Sequence, residues 1–166
     1  MHKILTATLA AGVMAAGVAQ AATTTTTFAV TATVQSTCSA TAAALAFPNY
    51  TPGTGTLTGN TNISVKCTKN TPFTVALNAG STTGDAFAQR IMASGTNTLQ
   101  YNLYTTAALG TIFGDGSAGT GTLTGTGAGV ATAVAVTVYG QLPDNATNQG
   151  AIPGNYTDTI TVTVTY

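Results

Sequence analysis

Few side chains in this 166-residue sequence are thiols, carboxylates or imidazoles, the usual general acids, bases and metal ligands. They are Cys38, Cys67, Asp85, Asp115, Asp144, Asp158 and one histidine, His2; there is no glutamate and no tryptophan. His2 belongs to a leader. Met1-His2-Lys3 is a short basic start, Ile4 to Val18 is an uncharged apolar run, and Ala19-Gln20-Ala21 ends it in the A-x-A form that a signal peptidase accepts. A membrane span is the weaker reading, because the run is short and no stop-transfer charges follow. Cleavage after Ala21 removes His2 and Lys3. Lys66, Lys69 and Arg90 then stand against four aspartates, a formal net charge of −1. With no histidine or glutamate to serve as base, nucleophilic Ser or Cys chemistry lacks its partner. Paired-carboxylate hydrolysis would fall to aspartates that all sit in turn-like sequence, where they read as turn formers. Neither a phosphate loop nor a dinucleotide fingerprint is present, and no basic patch suits nucleic acid. The expectation is a protein that is not an enzyme and that uses no cofactor and no metal.

In an exported chain an even cysteine count reads as a disulfide, Cys38 to Cys67. Closing that loop would remove roughly 3–4 kcal/mol of unfolded-state entropy in the chain-entropy model. A two-cysteine metal site has no His or acidic cluster to complete it.

The elements that position these residues read as strands. After Ala22 and five threonines, Phe28, Val30, Ala32 and Val34 alternate with Ala29, Thr31, Thr33 and Gln35, which puts the first set on one strand face. Further strands are expected over Ala43 to Phe47, Asn62 to Cys67, Phe73 to Leu77, Thr98 to Thr105, Val130 to Tyr139 and Tyr156 to Tyr166. In the last of these Ile160, Val162, Val164 and Tyr166 share a face. Pro52-Gly53, Asn78-Ala79-Gly80, Gly84-Asp85, Gly114-Asp115-Gly116 and Pro153-Gly154 supply turns. Abundant Gly and Thr with scarce Leu and Lys favour this all-β reading, and no amphipathic helix stands out. The heptapeptide GTGTLTG occurs at Gly53–Gly59 and again at Gly119–Gly125, 66 residues apart, too far for a solenoid period. Its copies read as two flexible Gly/Thr-rich loops. Asn-x-Ser/Thr triplets at Asn62, Asn145 and Asn155 read as chance matches in Thr-rich sequence.

The leader, F-A-V-T-A-T-V before Cys38, L-A-F-P-N-Y at 45–50, I-S-V-K-C-T at 63–68, L-Q-Y-N-L-Y at 99–104, Y-G-Q-L-P at 139–143 and the ending Y-T-D-T-I-T-V-T-V-T-Y together resemble the spore coat protein U family, which includes the Csu-type, or archaic, chaperone–usher pilus subunits. The resemblance covers nearly all of the mature chain; Leu109 to Gly129 is richer in glycine than the family pattern. It implies an incomplete immunoglobulin-like β-sandwich that lacks its last strand. A periplasmic chaperone would fill the gap, and an outer-membrane usher would exchange it for the N-terminal strand of the next copy, building a head-to-tail homopolymer by strand addition. The implied function is a structural subunit of a cell-surface fibre supporting adhesion and biofilm formation. The implied organisation is a leader (1–21), a donor strand (22–34) with Phe28, Val30, Ala32 and Val34 as its inserting face, a hinge of Gln35, Ser36 and Thr37, and a pilin-like domain (38–166). Ile160, Val162, Val164 and Tyr166 would border the groove and offer their edge to the chaperone.

From the residues alone, Phe28 to Val34 is equally an ordinary first strand; at about 3.3 Å per residue, Thr26 to Val34 would span about 30 Å, enough to cross a sandwich. Other readings stay open beside the fibre. A coat protein of a resting cell shares the family. A small outer-membrane barrel fits the length and the terminal Tyr166, although 11 Phe and Tyr form no flanking girdles. A threonine-presenting binding surface would use Thr161, Thr163 and Thr165.

Overall fold

The structure is a computed structural model and describes residue 17 and residues 19–166; most of the expected leader, residues 1–16 and 18, lies outside the described residues. The chain divides into two units, Met1–Thr33 and Val34–Tyr166. In the first unit every described residue is exposed and joins no strand or helix.

The second unit is built from β1 (Cys38–Ala42), β2 (Leu57–Cys67), β3 (Pro72–Leu77), β4 (Arg90–Ser94), β5 (Asn97–Tyr104), β6 (Leu123–Thr126), β7 (Val134–Leu142), the one-turn helix α1 (Ala146–Gln149) and β8 (Val162–Thr165). Five strands form one sheet in the order β1-β2-β7-β5-β4, and three form a second in the order β6-β3-β8. Period-two alternation explains which faces meet. Ile63 and Val65 of β2 oppose Val136 and Val134 of β7. In the second sheet Val75 lies between Leu123 and Val164, and Leu77 opposite Val162. Ile63, Val65, Phe73, Val75, Leu77, Leu103 and Val138 are buried in one core between the sheets, each large side chain contributing about 1.5–3 kcal/mol on full burial. The intervening threonines, Thr74, Thr124 and Thr165, align on the opposite face.

The disulfide Cys38–Cys67 is formed between directly paired residues of β1 and β2. It fastens the sheet's edge strand to its neighbour. Thr37 extends the same ladder: Thr68 N–H donates to its carbonyl at 2.9 Å, and Thr37 N–H donates to Thr68 Oγ1 at 2.8 Å.

All named strand pairs are antiparallel. The short turn at 68–71 reverses the chain between β2 and β3, so β3 runs with β1, and β8, antiparallel to β3, runs against β1. This polarity also defines two ends. Thr37, the 68–71 turn and residues 127–130 lie at one; the loops at 50–56 and 143–155 lie at the other.

The strands depart from the sequence expectation in specific places. Ala43 to Phe47 is not a strand. Beyond Ala43, whose N–H still donates to Asn62 at 3.3 Å, the chain leaves β2 and crosses the inner face as a strap. Gly59 and Gly140, paired across β2 and β7, leave room there, and Leu45 and Phe47 sit over them. The C-terminal strand is shorter than Tyr156 to Tyr166, because Thr157 bridges instead to Ala93 of β4 and the chain reaches β3 only at Val162. The strand expected from Val130 begins at Val134. The two GTGTLTG copies are not simply loops: Leu57-Thr58-Gly59 opens β2, and Leu123-Thr124-Gly125 lies in β6. Strand β4 was not expected, since its first residue is a charged Arg90 that the structure buries completely.

Candidate functional site: an open apolar groove

Two elements that belong to neither sheet's interior form the walls of a long groove. One wall is the strap after β1, residues 42–52. The other is the chain leading into β8, residues 151–162. Residues 44–49 make no backbone-to-backbone hydrogen bond among the described residues. On its far side β8 pairs only with β3, leaving its other edge open. The groove therefore lies between the unpaired backbone of residues 44–49 and the open edge of β8, the template that a further strand would complete.

Its floor is the sandwich core itself. A cleft of about 540 Å³ opens onto Ile63, Leu77, Tyr101, Leu103 and Val138. A second, of about 610 Å³, continues it over Leu99 and Leu142 toward the Pro52 and Ile152 loops. Leu45, Phe47, Met92 and Tyr156 line both, so the two are one trough. Phe47 meets Tyr101 edge to face at 6.4 Å between centroids, a favoured aromatic geometry. The half-buried Leu45, Phe47, Ile160, Val162 and Val164 pack on the core without being covered by it.

Polar contacts hold both walls in place. Tyr101 Oη donates to Asp158 Oδ2 at 2.5 Å, and the Ser81 and Thr159 N–H groups donate to Asp158 Oδ1 at 2.9 and 2.7 Å. Burial pushes the Asp158 carboxyl up, but these donors outweigh it and hold it below the usual carboxylate range. Tyr101 is pushed well above the usual phenol range by burial and by the same carboxylate. Asp85 accepts from Thr82 N–H and Ile91 N–H, each at 2.6 Å; burial dominates there and raises its carboxyl. Behind them Arg90 is fully buried. Its guanidinium donates at 2.7 Å to Asn102 Oδ1, the Asn78 carbonyl and the Phe113 carbonyl, and burial lowers its pKa. At the loop end Asp144 accepts from Tyr50 Oη (2.6 Å), Gly53 N–H (3.0 Å) and Gly55 N–H (2.8 Å), which pins the far end of the strap. Those bonds hold Asp144 below its ordinary value, while partial burial and the carboxylate push Tyr50 up to about 12. Asp115 accepts from the Ser117 N–H and hydroxyl within its own turn. Each aspartate is thus engaged with neighbouring N–H or hydroxyl donors, and the described residues hold no cluster of three or more potential metal ligands.

The residues singled out in the sequence fall as follows. Ile160 and Val162 line the groove, Val164 in β8 packs against the core without lining it, and Tyr166 is exposed beyond the end of β8. Cys38 and Cys67 are bonded. Gln35, Ser36 and Thr37 are exposed. Phe28, Val30 and Val34 are 86%, 84% and 84% exposed, and Ala32 is exposed with them. The strap, with Leu45 and Phe47, was missed as a wall. Its signal was available in L-A-F-P-N-Y, but two apolar residues separated by one read equally as a strand.

The family model of the Spore Coat Protein U domain matches residues 24–163, which takes in the N-terminal segment together with both sheets. No curated protein matches the sequence. Among solved structures, the chain is similar to one chain of the CsuC–CsuE chaperone–tip adhesion subunit pre-assembly complex from archaic chaperone–usher Csu pili of Acinetobacter baumannii. The TM-score is 0.55 at 21% identity, covering 81% of this chain and 41% of that chain. The chain therefore spans about two fifths of that relative's length, and the likeness is one of fold.

Proposed function

The chain belongs to the Spore Coat Protein U domain family, and on that footing we propose that it is a structural, non-catalytic subunit of a bacterial surface fibre, assembled by donating its N-terminal strand to the groove of the next copy. The observation that carries this reading is the open groove between two unpaired edges. The exposed segment Phe28, Val30, Ala32, Val34 has the alternating apolar pattern that such a groove accepts. Full burial of Phe28, Val30 and Val34 would contribute on the order of 5–9 kcal/mol before the entropy of ordering the segment is subtracted. A subunit that both donates and accepts can sit within a fibre shaft.

Until a neighbour arrives, the exposed core needs a temporary occupant. The structural likeness to a chain of a chaperone–subunit complex supports a periplasmic chaperone in that role, with an outer-membrane usher exchanging it for the next subunit. The route is then export, passage through the periplasm, and display outside the cell in a fibre serving adhesion and biofilm formation.

Three versions of the protein test the reading: the chain from Ala22, a version lacking Ala22 to Val34, and one carrying that segment behind Tyr166 through a short linker. After a turn at Tyr166 the relocated segment would run antiparallel to β8, matching the pairing found everywhere else in the two sheets. The expected outcomes are polymers, an unstable monomer and a stable monomer, in that order. A truncated form as stable as the relocated one would sink the proposal.

A further inference from the structure

The hinge sets how close two successive bodies must come. Thr37 is already fixed in its own body by the paired bonds to Thr68, so only Gln35 and Ser36 are free. Three Cα steps from Val34 to Thr37 reach at most about 11 Å. This inference rests on the donor-strand reading. A donor antiparallel to β8 runs in the direction of β1, entering with Phe28 toward the disulfide end and leaving with Val34 toward the Pro52 and Ile152 loops. The donor's own body, at its Thr37–Thr68 end, is then within about 11 Å of the acceptor's loop end. Two packed sheets stand about 10 Å apart, so this spacing leaves room for side chains and little else.

The two ends that meet are matched in kind. Apart from the N-terminal segment and Tyr166, the large apolar residues exposed among the described residues are Val130, 57% exposed, and Ile152, 53% exposed. Val130 follows Gly129, whose N–H donates to the Cys67 carbonyl at 3.1 Å, and so lies at the disulfide end. Ile152 lines the groove mouth with Pro52 and Pro153 at the other. One exposed aliphatic residue at each end is what a head-to-tail, heterologous contact needs, whereas a two-fold dimer would use one patch twice.

We infer that the body of each subunit also docks directly on the next, with the Val130 end of the donor seated on the Ile152–Pro153–Pro52 end of the acceptor. The partner is a second copy of this chain. The contact fixes the angle between successive bodies, which the donor strand alone does not.

The chain carrying both Val130→Cys and Ile152→Cys, with each single variant beside it, tests this after assembly and mild oxidation. Non-reducing gels are expected to show a ladder of covalent multimers for the double variant and none for either single variant. As a check that needs no new cysteine, Val130→Asp should shorten the fibres, and Val130→Asp with Ile152→Lys should restore them. Polymers that form but run as monomers on the gel, with fibre length unchanged by Val130→Asp, overturn the docking contact while leaving strand donation intact. Covalent dimers from Val130→Cys alone also overturn it, because they place two disulfide ends together. Absence of polymers from the unsubstituted chain overturns strand donation and this contact with it.

Discussion

Replacing the last glycine of each GTGTLTG copy with alanine applies the same change to identical local sequence in two different packings. A Cβ on Gly59 would find Ala46 O at 3.5 Å, Leu45 Cδ2 at 3.6 Å and Phe47 Cδ1 at 3.8 Å, all ordinary contacts. Gly59 lies in β2 without a positive φ, so alanine fits and restricts the unfolded chain; a gain of about 0.5–1 kcal/mol is expected. A Cβ on Gly125 would instead collide with Phe73 Cζ and lie 2.9 and 3.0 Å from Cε2 and Cε1. Phe73 is 3% exposed in the packed core and cannot swing away freely, so overpacking should cost about 1–3 kcal/mol. For a domain of this size each 1 kcal/mol moves Tm by about 2–4 °C. Urea unfolding of the monomer with its N-terminal segment placed behind Tyr166 would give the two midpoints. G59A should move up and G125A down, with the slope m unchanged. Midpoints that shift in the same direction would refute the β3–β6 register that puts Gly125 opposite Phe73.

Other residues give further expectations. Arg90→Ala leaves buried carbonyls of Asn78 and Phe113 and the Asn102 side chain without their donor, so it should cost on the order of 3–5 kcal/mol in the same urea assay. Tyr50 has a folded pKa raised to about 12; its contribution is complete below about pH 10 and is lost as pH climbs from there to 12. Phenolate absorbance should accordingly show two late-titrating tyrosines, Tyr50 and Tyr101, of which Tyr50→Phe removes the one that titrates first. Asp144 is depressed, so the same strap clamp should also weaken as pH falls through its carboxylate range, visible as faster proteolysis of the 50–56 loop near the acid end. Gln35→Asn with Ser36→Gly supplies the type I′ turn that the natural hinge lacks. It should let residues 28–34 fold back on the free edge of β1 and lower the polymer yield, read by size exclusion.

Legibility in the sequence followed the range of the forces involved. Strands β2, β3, β5 and β7 were visible because alternation is local: Ile63-Ser64-Val65 and Phe73-Thr74-Val75 declare a buried face without reference to anything else. The disulfide was visible because export and an even cysteine count need no geometry. Strand β4 was hidden by Arg90, whose burial depends on carbonyls supplied by Asn78 and Phe113, 12 and 23 residues away. The strap was hidden for a similar reason. Whether Leu45-Ala46-Phe47 pairs as a strand or lies over the sheet depends on Gly59 and Gly140 meeting opposite each other, and that is decided only by the β2–β7 register. The groove was the least legible feature from pattern alone, since a missing strand leaves no residues to read; the family resemblance, and not the periodicity, pointed to it.

The position of the glycines explains how one chain keeps a core open without losing its fold. Gly140 is buried, and a Cβ there would meet Leu45 and Phe47 at 2.8–3.1 Å, so its absence lets the strap sink onto the first sheet and form a wall of the trough without filling it. Asp144 and Tyr50 hold the strap at one end, and the disulfide holds β1 at the other. The remaining edges are then rigid enough to present unpaired backbone in a fixed register. A floppy edge would make an incoming strand order both partners, at about 1–2 kcal/mol per residue fixed; a braced edge leaves only the donor to be ordered. The exposed edges and near-zero charge that would endanger a free monomer are in keeping with the proposed strand donation, under which the bracing residues outside the trough should govern how fast a neighbour's strand enters.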